Sequence, residues 1–420
     1  MQKTIVILGL GISGKASAAF LLAKGERVIG ADRNADRMKG DSSIVRLMQQ
    51  GMELVSDDAK IDSNQIILSP GIPSTHPMVQ RARNGGIEVI GEIEMGFRYL
   101  KNRAVGVTGT NGKTTTVMLI AHLLQSAGMK ARALGNIGAS LAEYLLHPDP
   151  DEILVIELSS FQLETASTPA LESAAILNIT PNHLNWHPTL EDYARAKARI
   201  GLCVKKNGPL FVSNQAAKEY SSLFETLTLF DQETVAPNSQ LRYIMRGLPE
   251  RKNVEAAFAF CAYFGIDREL CERNLETFKK PSHRIEWVAK KNHVSYFNDS
   301  KASNIHAVMH AVSLFETPLV LIAGGVHKGA SYSPWIAPFR GKVKGIVAFG
   351  EASGQMEAEL SRDFPVFRVN NLEEAVLKAS KLALENEIVL LSPGCSSYDQ
   401  FRSFEHRGDE FKRIVREELK

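Results

Sequence analysis

The sequence of 420 residues predicts an α/β protein with three domains and mostly parallel sheets. Short β-branched segments alternate along the chain with glycine turns and segments of helical period, as in βαβ units. Two of the turns have the spacing of phosphate-binding loops. The alternation restarts near residues 103 and 284, which predicts a Rossmann-like domain at 1–90, a P-loop domain at 91–280 and a third α/β domain at 281–420.

Charge and composition exclude several classes of protein. The 49 Lys and Arg residues nearly balance the 47 Asp and Glu residues, so the chain lacks the basic excess that broad nucleic-acid or membrane binding requires. The four cysteines have no metal-ligand spacing and suit a reducing compartment. No apolar run approaches the roughly 20 residues of a spanning helix. We therefore expect a cytoplasmic protein that binds no nucleic acid and does not insert into membranes.

The first domain carries a glycine fingerprint, Gly9-x-Gly11-x-x-Gly14, followed by Asp32. The surrounding pattern predicts strands at 4–8, 27–31, 65–68 and 87–90 and a helix at 15–24. Backbone amides of such a turn bind a pyrophosphate, and the acid accepts hydrogen bonds from a ribose or a base. A nicotinamide-dependent oxidoreductase shares this fingerprint, but it needs about six strands, more than the residues before the restart can supply.

The second glycine turn is the strongest feature of the sequence. A strand predicted at 103–108 runs into Thr108-Gly109-Thr110-Asn111-Gly112-Lys113-Thr114-Thr115, and a helix is predicted at 117–125. The turn is shorter than a standard Walker motif, which would have glycine where Val107 stands. Its amides can surround phosphate oxygens, Lys113 can reach the β- and γ-phosphates, and Thr114 can bind Mg²⁺. We predict a site that hydrolyses ATP or transfers its phosphate.

Polar residues that follow apolar strands complete the predicted phosphate site. Glu157 ends a strand predicted at 153–157, where a buried acid is costly without a cation. His183 follows the apolar segment 176–180, which we predict to be a strand. Beside a P-loop, both residues are candidates for holding the metal. Lys197 lies in an amphipathic helix predicted at 190–200, and its pattern alone does not distinguish it from a solvated lysine.

The third domain opens with polar–apolar alternation at 284–297. Strands predicted at 319–323, 345–349 and 388–391 each end at a glycine or at Pro-Gly. Strand ends of this kind carry ligands in parallel sheets.

Several motifs in addition to the two glycine turns resemble those of the ATP-dependent Mur ligases. They are LSPGIP at 68–73, GNIG at 135–138, ELSSFQLE at 157–164, His183, Lys197, His283-Arg284, NDSKASN at 298–304 and LSPGCSSYDQF at 391–401. The SSFQLE and SYDQF runs are most similar to those of the family members that add D-glutamate. The resemblance covers almost the whole chain, from Gly9 to Gly408.

This resemblance implies a reaction and its participants. The first domain would bind UDP-N-acetylmuramoyl-L-alanine and the second ATP with two Mg²⁺ ions. The third domain would be Rossmann-like, as in the family, and would bind D-glutamate. The substrate carboxylate would be activated as an acyl phosphate. The reaction would be a step of cytoplasmic peptidoglycan precursor synthesis, and the enzyme would be a monomer. Another amide ligase of the same superfamily remains an alternative. Folylpolyglutamate synthase is disfavoured because it lacks the first domain, and the oxidoreductase is a remote alternative.

The resemblance also implies roles for individual residues. The catalytic set would be Lys113, Glu157, His183, Lys197 and Arg284. The metal ligands would be Thr114, Glu157, His183 and a carbamylated Lys197. The nucleotide would contact Gly109, Thr110, Asn111, Gly112, Lys113, Thr114, Thr115, Asn253, Arg284 and Asp299. Ser13, Asp32 and Gly71 would line the UDP site, and Asn136 would face the UDP-linked sugar substrate. D-glutamate would be positioned by Ser303, Lys328, Ser397 and Phe404. Ser159 and His183 would contact substrate as well.

The chain departs from the family pattern at a few positions near these residues. Asn34 stands where the family often has arginine, and Arg33 is the expected substitute. Val326 replaces an acid, and Glu250 replaces an asparagine that commonly contacts adenine. Asn182 and Asn185 replace acids on either side of His183.

Overall fold

The computed structural model of the chain describes residues 3–183, 186–230, 249–327 and 329–419. These residues form three separate sheets, which confirms the predicted three-domain α/β fold with mostly parallel sheets. Among the described residues, those up to residue 230 and those at 253–274 make one compact unit, and those at 249–252 and from 275 onward make a second. The domain boundaries near Gly91 and Lys280 stay predictions.

The first sheet has five parallel strands in the order β3-β2-β1-β4-β5. Its strands are β1 (Thr4–Leu8), β2 (Arg27–Ala31), β3 (Glu53–Val55), β4 (Gln65–Leu68) and β5 (Glu88–Gly91). Its helices are α1 (Ile12–Ala23), α2 (Ala35–Met38), α3 (Ser42–Gln49), α4 (Pro77–Asn84) and α5 (Glu92–Tyr99). The first helix begins three residues before its predicted start, because Gly11 is already its N-cap. The strand order reverses between β1 and β4, where ligands of open α/β sheets bind.

The second sheet has six parallel strands in the order β11-β10-β9-β6-β8-β7. Its strands are β6 (Ala104–Thr108), β7 (Ala131–Gly135), β8 (Ile153–Glu157), β9 (Ser173–Ile176), β10 (Leu210–Val212) and β11 (Thr228–Leu229). The helices along this stretch are α6 (Lys113–Ser126), α7 (Leu141–Tyr144), α8 (Ser160–Leu163), α9 (Leu190–Ala198), α10 (Asn214–Glu219), α11 (Arg251–Tyr263) and α12 (Arg268–Leu275).

The strand predicted at 176–180 is wrong. Strand β9 ends at Ile176, and the backbone then leaves the sheet. The carbonyl of Asn178 accepts a hydrogen bond from the N–H of Thr110 (3.0 Å), so this apolar segment supports the phosphate-binding loop instead of extending the strand.

The third sheet has the order β12-β13-β17-β14-β15-β16, and only β12 runs antiparallel to its neighbour. Its strands are β12 (Glu286–Lys291), β13 (Val294–Asn298), β14 (Leu319–Gly324), β15 (Val343–Phe349), β16 (Val366–Arg368) and β17 (Ile388–Leu391). Its helices are α13 (Ile305–Ser313), α14 (Ile336–Phe339), α15 (Ser353–Leu360), α16 (Leu372–Leu382) and α17 (Phe404–Glu417). The alternating segment 284–297 is a hairpin, and its turn residues Asn292 and His293 adopt positive φ.

Apolar side chains cover both faces of the third sheet in two separate clusters. In the first unit, a single apolar cluster contains residues from the first sheet, the second sheet and the helices between them. In the described parts of the chain, no helix has both the length and the hydrophobicity needed to cross a membrane.

Candidate active site

A cavity of about 740 Å³ lies at the carboxyl edge of the first sheet. Its lining includes Ser13, Asp32 and Gly71, the three residues that the resemblance assigned to the UDP site. Arg33 and Asn34 line it as well. Arg33, the expected substitute for the arginine that the family often has at position 34, is therefore at the same cavity. The structure thus brings this part of the predicted site together.

The glycine turn in this cavity is held by close backbone packing. A Cβ atom on Gly14 would come within 1.9 Å of the carbonyl oxygen of Gly9, so only glycine fits there. Asp32 accepts hydrogen bonds from the backbone N–H groups of Leu10 and Asn34, both at 2.9 Å. These bonds fix the Asp32 carboxylate at the end of β2, beside the turn that would bind phosphates.

The P-loop joins β6 to α6 through two glycines with positive φ. Gly109 has a φ of +153° and Gly112 a φ of +82°. The amino group of Lys113 donates hydrogen bonds to the carbonyls of Gly109 (2.9 Å) and Thr110 (3.0 Å), so it lies over the loop. A Cβ atom on Gly112 would lie 2.3 Å from Oδ1 of Asn253, which places this asparagine directly against the loop.

Asn178 supports the P-loop, although its sequence position gave no sign of this role. Its Oδ1 accepts hydrogen bonds from the N–H groups of Thr110 (3.1 Å) and Asn111 (2.8 Å), and its Nδ2 donates to the carbonyl of Asn111 (3.1 Å). The Thr110 hydroxyl in turn donates to the carbonyl of Thr180 (3.1 Å). The loop is therefore shaped before any phosphate binds. At the start of α6, Thr114 is half-buried and Thr115 is buried.

Glu157 is a buried carboxylate with one oxygen satisfied and one unsatisfied. Its Oε1 accepts a hydrogen bond from Nδ2 of Asn136 (2.9 Å), whereas the buried Oε2 has no partner among the described residues. An unpaired buried carboxylate oxygen is costly, and a bound cation removes that cost. The structure therefore brings Asn136 and Glu157 together and leaves one acid oxygen for a ligand. Ser159, two residues further on, caps α8 through a capping box with Gln162.

Lys197 is fully buried on α9 and reaches the P-loop. Its Nζ donates to the carbonyl of Gly109 at 2.7 Å and lies 4.6 Å from the centre of the Tyr193 ring. Burial lowers the pKa of Lys197 well below its usual value, and the charge of Lys113 lowers it further, while Glu157 opposes the shift. The Lys197 amine is therefore neutral far more often than the amine of an exposed lysine. The neutral amine is the form that reacts with electrophiles.

His183 is exposed beside this cluster and has a positive φ of 55°. Its ring contacts Phe161 edge to face, with ring centres 4.8 Å apart. Partial burial lowers the pKa of His183 to about 4, and the charges of Lys197 and Lys113 add to the shift. The imidazole is therefore neutral at physiological pH and can act as a metal ligand. Asn185 lies outside the described residues; Asn182 accepts a hydrogen bond from the His183 N–H (3.0 Å).

In the second unit, Asp299 is a buried acid at the end of β13. It accepts hydrogen bonds from the N–H of Ile285 (3.2 Å) and the hydroxyl of Ser392 (2.8 Å). Burial raises its pKa to about 7 despite these bonds. Arg284 is half-buried next to Ile285, and Glu250 pairs with Nε2 of His310 at 3.3 Å. Glu250, which stands where the family commonly has an asparagine, is therefore already paired with His310 of its own unit.

Three residues assigned to D-glutamate lie at the carboxyl edge of the third sheet, two on loops and one at the start of a helix. Ser303 follows β13, Ser397 follows β17, and Phe404 begins α17, with its ring centre 3.7 Å from Nζ of Lys301. Val326 forms a backbone bridge to Ser396. Lys328, the fourth residue of this set, lies outside the described residues.

Arg407 holds these loops together and was not singled out by its sequence position. The side chain is completely buried and donates to the carbonyls of Ser300 (2.8 Å), Cys395 (3.2 Å) and Gly324 (3.4 Å). These acceptors lie on the loops after β13 and β17 and at the end of β14. Burial lowers the pKa of Arg407 to about 10. Among the described residues no carboxylate forms an ion pair with this guanidinium, so its positive charge adds to the potential at this edge of the sheet.

Comparison with known proteins identifies the family. Family models match residues 3–91 as a Mur ligase MurD-like N-terminal domain, 107–247 as the Mur ligase middle domain and 283–395 as the Mur ligase glutamate ligase domain. This chain belongs to the Mur ligase family. The UDP-N-acetylmuramoylalanine--D-glutamate ligase of Protochlamydia amoebophila is 43% identical to this Mur ligase over 99% of the chain and 98% of the relative. The enzyme of the same name from Caldicellulosiruptor bescii is 36% identical over 99% of this chain and 98% of that relative.

Solved structures share the fold of this Mur ligase at low sequence identity. The MurF ligase from Thermotoga maritima in complex with ADP is similar with a TM-score of 0.61 and 15% identity, covering 93% of this chain and 95% of that one. A pseudomurein peptide ligase type C from Methanothermus fervidus gives a TM-score of 0.56 and 18% identity over all of both chains. A folylpolyglutamate synthase/dihydrofolate synthase from Yersinia pestis, complexed with AMPPNP and Mn, has a TM-score of 0.54 and 16% identity, covering 77% of this chain and 92% of that one.

Proposed function

We propose that this Mur ligase uses ATP to join D-glutamate to the carboxyl group of UDP-N-acetylmuramoyl-L-alanine. The observation that carries the substrate assignment is the similarity to relatives of that name over 99% of the chain. The geometry supports the nucleotide half of the reaction, because two phosphate-binding turns lie at the carboxyl edges of the first two sheets. We further propose a monomer in the cytoplasm, a compartment that suits four free buried cysteines.

The chemistry requires a phosphate because a carboxylate is a poor electrophile. Its oxygen attacks the γ-phosphorus of ATP, ADP leaves, and an acyl phosphate forms. The amine of D-glutamate then attacks the acyl carbon, the tetrahedral intermediate loses phosphate and a proton, and an amide remains. Charge on the transferring phosphoryl group and on the oxyanion must be neutralised throughout.

The P-loop is built to bind the polyphosphate of the nucleotide. Its amides at Gly109, Thr110, Asn111 and Gly112 would donate to phosphate oxygens, as would those of Lys113, Thr114 and Thr115. The Lys113 ammonium would add charge at the β- and γ-phosphates, a short movement from the loop carbonyls that it now contacts. Asn253, which packs against Gly112, would lie next to the bound nucleotide.

The residues beside the P-loop also fit magnesium. The unpaired Oε2 of Glu157 is an anionic oxygen of the kind that Mg²⁺ prefers, and the Thr114 hydroxyl would be a second ligand. His183 and Lys197 would hold a second ion. When bound, the ions would neutralise charge on the transferring phosphoryl group.

Lys197 suits this role only as a carbamate. A neutral amine adds CO₂ and loses one proton, so that –NH₂ becomes –NH–COO⁻, an oxygen ligand with the opposite charge. The lowered pKa of Lys197 supports this addition, because it supplies the neutral amine in a buried site. An unmodified ammonium would repel a cation.

The third sheet would supply the remaining contacts. Arg284 would bind the γ-phosphate and Asp299 the nucleotide ribose. Ser303, Ser397, Phe404 and Lys328 would position D-glutamate, whose two carboxylates call for a cation and for hydroxyl or amide donors. In the first unit, Ser13, Asp32 and Gly71 would bind the UDP group, while Asn136, Ser159 and His183 would bind the sugar–peptide portion.

A panel of amino acids tests this proposal. The full chain is incubated with UDP-N-acetylmuramoyl-L-alanine, ATP and Mg²⁺, each amino acid is added in turn, and phosphate release is measured. D-glutamate is expected to stimulate release, and L-glutamate is the matched control that should not. Release stimulated by L-lysine or meso-diaminopimelate but not by D-glutamate would assign the chain to another ligase of the superfamily.

A further inference from the structure

Ser160 and His187 form a buried hydrogen-bonded pair near His183. Oγ of Ser160 lies 3.0 Å from Nε2 of His187, and Nδ1 of His187 lies 3.6 Å from Oε1 of Glu164. The order of these groups is that of a Ser–His–acid triad. However, Ser160 is 2% exposed and His187 is 4% exposed, and 3.6 Å is too long for a hydrogen bond. Burial keeps substrates away from this serine, so the pair suits a structural role better than nucleophilic catalysis.

The Glu164 carboxylate holds a different partner, the indole of Trp186. Its Oε1 accepts a hydrogen bond from Nε1 of Trp186 at 2.7 Å. Glu164 is the C-cap residue of α8, and Ser160 is the first residue of that helix. The two ends of α8 therefore hold two consecutive residues, Trp186 and His187. We call Ser160, Glu164, Trp186 and His187 the α8 anchor.

The α8 anchor acts on His183 through the backbone. The carbonyl of His183 accepts hydrogen bonds from the N–H groups of Trp186 (2.9 Å) and His187 (3.0 Å). His183 has a positive φ of 55°, an uncommon conformation for a residue with a side chain, and the surrounding structure must maintain it. Both hydrogen bonds come from residues that α8 holds in place. The anchor thus stabilises a backbone conformation that His183 does not favour by itself.

The ring of Phe161, on α8, contacts the side chains on the other side of this arrangement. It meets the rings of His183 and Trp186 edge to face, with ring centres 4.8 Å apart in both cases. It also stacks on the His187 ring at 5.7 Å. The orientation of the His183 ring therefore depends on α8 as well as on the backbone bonds.

We propose that Ser160 and Glu164 are positioning residues that hold His183 ready to bind the second metal ion. The inference rests on the proposed function for the presence of that ion. Groups that orient a metal ligand without touching the metal change metal affinity by about 10- to 100-fold when they are removed. The carboxylate of Glu157 is held by Asn136 instead, so the ion at Glu157 should not depend on the α8 anchor.

Manganese binding tests this role separately from catalysis. The full chain with AMPPNP in bicarbonate buffer is titrated with Mn²⁺, and free Mn²⁺ is measured by electron paramagnetic resonance. The unsubstituted chain should take up two ions, and His183→Ala identifies the one that depends on His183. In Ser160→Ala and in Glu164→Met, that ion should bind at least about tenfold more weakly, while the affinity for the other stays unchanged.

Two controls separate positioning from a general structural effect. Glu164→Gln keeps an oxygen that accepts the Trp186 N–H, so it should bind both ions as the unsubstituted chain does. Glu191→Ala removes an acid of α9 that pairs with Arg195 at the surface, and it should change neither affinity. In turnover, Ser160→Ala should raise the KM for Mg²⁺ at least about tenfold and retain kcat at saturating Mg²⁺. Circular dichroism checks that each variant is folded at the assay temperature.

Several results would contradict the inference. Folded Ser160→Ala and Glu164→Met variants that bound both ions normally would overturn it, and so would an equal loss of both ions. Glu164→Gln that behaved like Glu164→Met would show that the hydrogen bond to Trp186 has no such role. An unsubstituted chain that took up one Mn²⁺ with AMPPNP would overturn the inference and the second ion of the proposed function. Selective weakening of one ion, in a chain that releases no phosphate on addition of D-glutamate, would overturn the proposed ligase reaction alone.

Discussion

At the level of single residues, Lys197 is the least ordinary side chain of the site. It is buried, its amine is held by the Gly109 carbonyl at 2.7 Å, and its pKa is lowered by burial. We expect Lys197→Ala to reduce phosphate release at least about 100-fold, because a metal ligand would be lost. Formate or acetate should restore part of the activity by replacing the carbamate oxygens.

The control for this prediction is Lys205→Ala, which removes an exposed lysine outside the site and should leave turnover unchanged. The rescue is measured as turnover against carboxylate concentration for both variants. Activity of Lys197→Ala equal to that of the unsubstituted chain would contradict the carbamate.

Glu92 is a second buried ionisable residue, and it affects stability instead of chemistry. Its Oε1 accepts the N–H of Ala142 at 2.7 Å, and its Oε2 is buried without a partner among the described residues. Burial raises its pKa from 4.5 to about 7, and the backbone hydrogen bonds from Ala142 and Leu141 only partly oppose this shift. Between these two values the folded chain keeps a proton that the unfolded chain has released. The free energy of unfolding must therefore fall as the pH rises from 4.5 to 7 and level off above 7.

Glu92→Gln should remove this part of the pH dependence. The shift corresponds to about 3 kcal/mol, so the variant should gain up to that amount relative to the unsubstituted chain between pH 5 and pH 8. Urea unfolding midpoints at several pH values measure the difference. Glu143→Gln, at an exposed acid on α7, is the control that should keep the original profile. Parallel profiles for Glu92→Gln and the unsubstituted chain would exclude the buried proton.

At the level of elements, the turn between β6 and α6 depends on Gly112. Gly112 and Gly128 share a φ of +82°, but a Cβ on Gly112 would meet Asn253 at 2.3 Å, whereas a Cβ on Gly128 has open space. Both alanine variants should lose about 1–2 kcal/mol of stability through backbone strain. Only Gly112→Ala should also lose turnover, by about 100-fold, because the clash displaces the loop. Equal turnover in the two variants would contradict this role for the Gly112–Asn253 contact.

Strands were predictable where a short β-branched run ends at a turn residue. Strands β1, β2, β4, β8 and β17 begin and end at their predicted residues. The prediction of a strand at 176–180 failed because an apolar segment has the same composition whether it lies in a sheet or packs beneath a loop. For the hairpin at 284–297, the sequence revealed the polar–apolar alternation but not the position of the turn. Asn292 and His293 indicate a turn only when the pairing partner of the strand is known.

The candidate site was predictable only in part, for a related reason. Motifs identify residues that touch a ligand, and Ser13, Asp32 and Gly71 do line one cavity. Residues that hold those motifs in place are distant in sequence and carry no local signal. Asn178 reaches a loop 67 residues away, and Arg407 reaches Ser300 across 107 residues. Only the fold could reveal them.

At the level of the whole molecule, the two candidate ligand sites in the first unit belong to different sheets. The cavity with Asp32 lies at the first sheet, and the P-loop follows β6 of the second sheet. A substitution in one site that leaves the backbone intact should therefore leave binding at the other unchanged. Lys113→Ala tests this, because it removes a charge on the P-loop and no contact with the first cavity.

We expect Lys113→Ala to lower turnover by about 1,000-fold, since phosphoryl transfer depends on neutralising charge at the transferring group. Calorimetry with UDP-N-acetylmuramoyl-L-alanine should give an affinity close to that of the unsubstituted chain. Lys130→Ala is the control: its side chain is 58% exposed and pairs with surface acids, so both turnover and binding should be retained. If a folded Lys113→Ala variant lost both properties equally, the two nucleotides would share one site, and the assignment of separate substrates to separate sheets would be wrong.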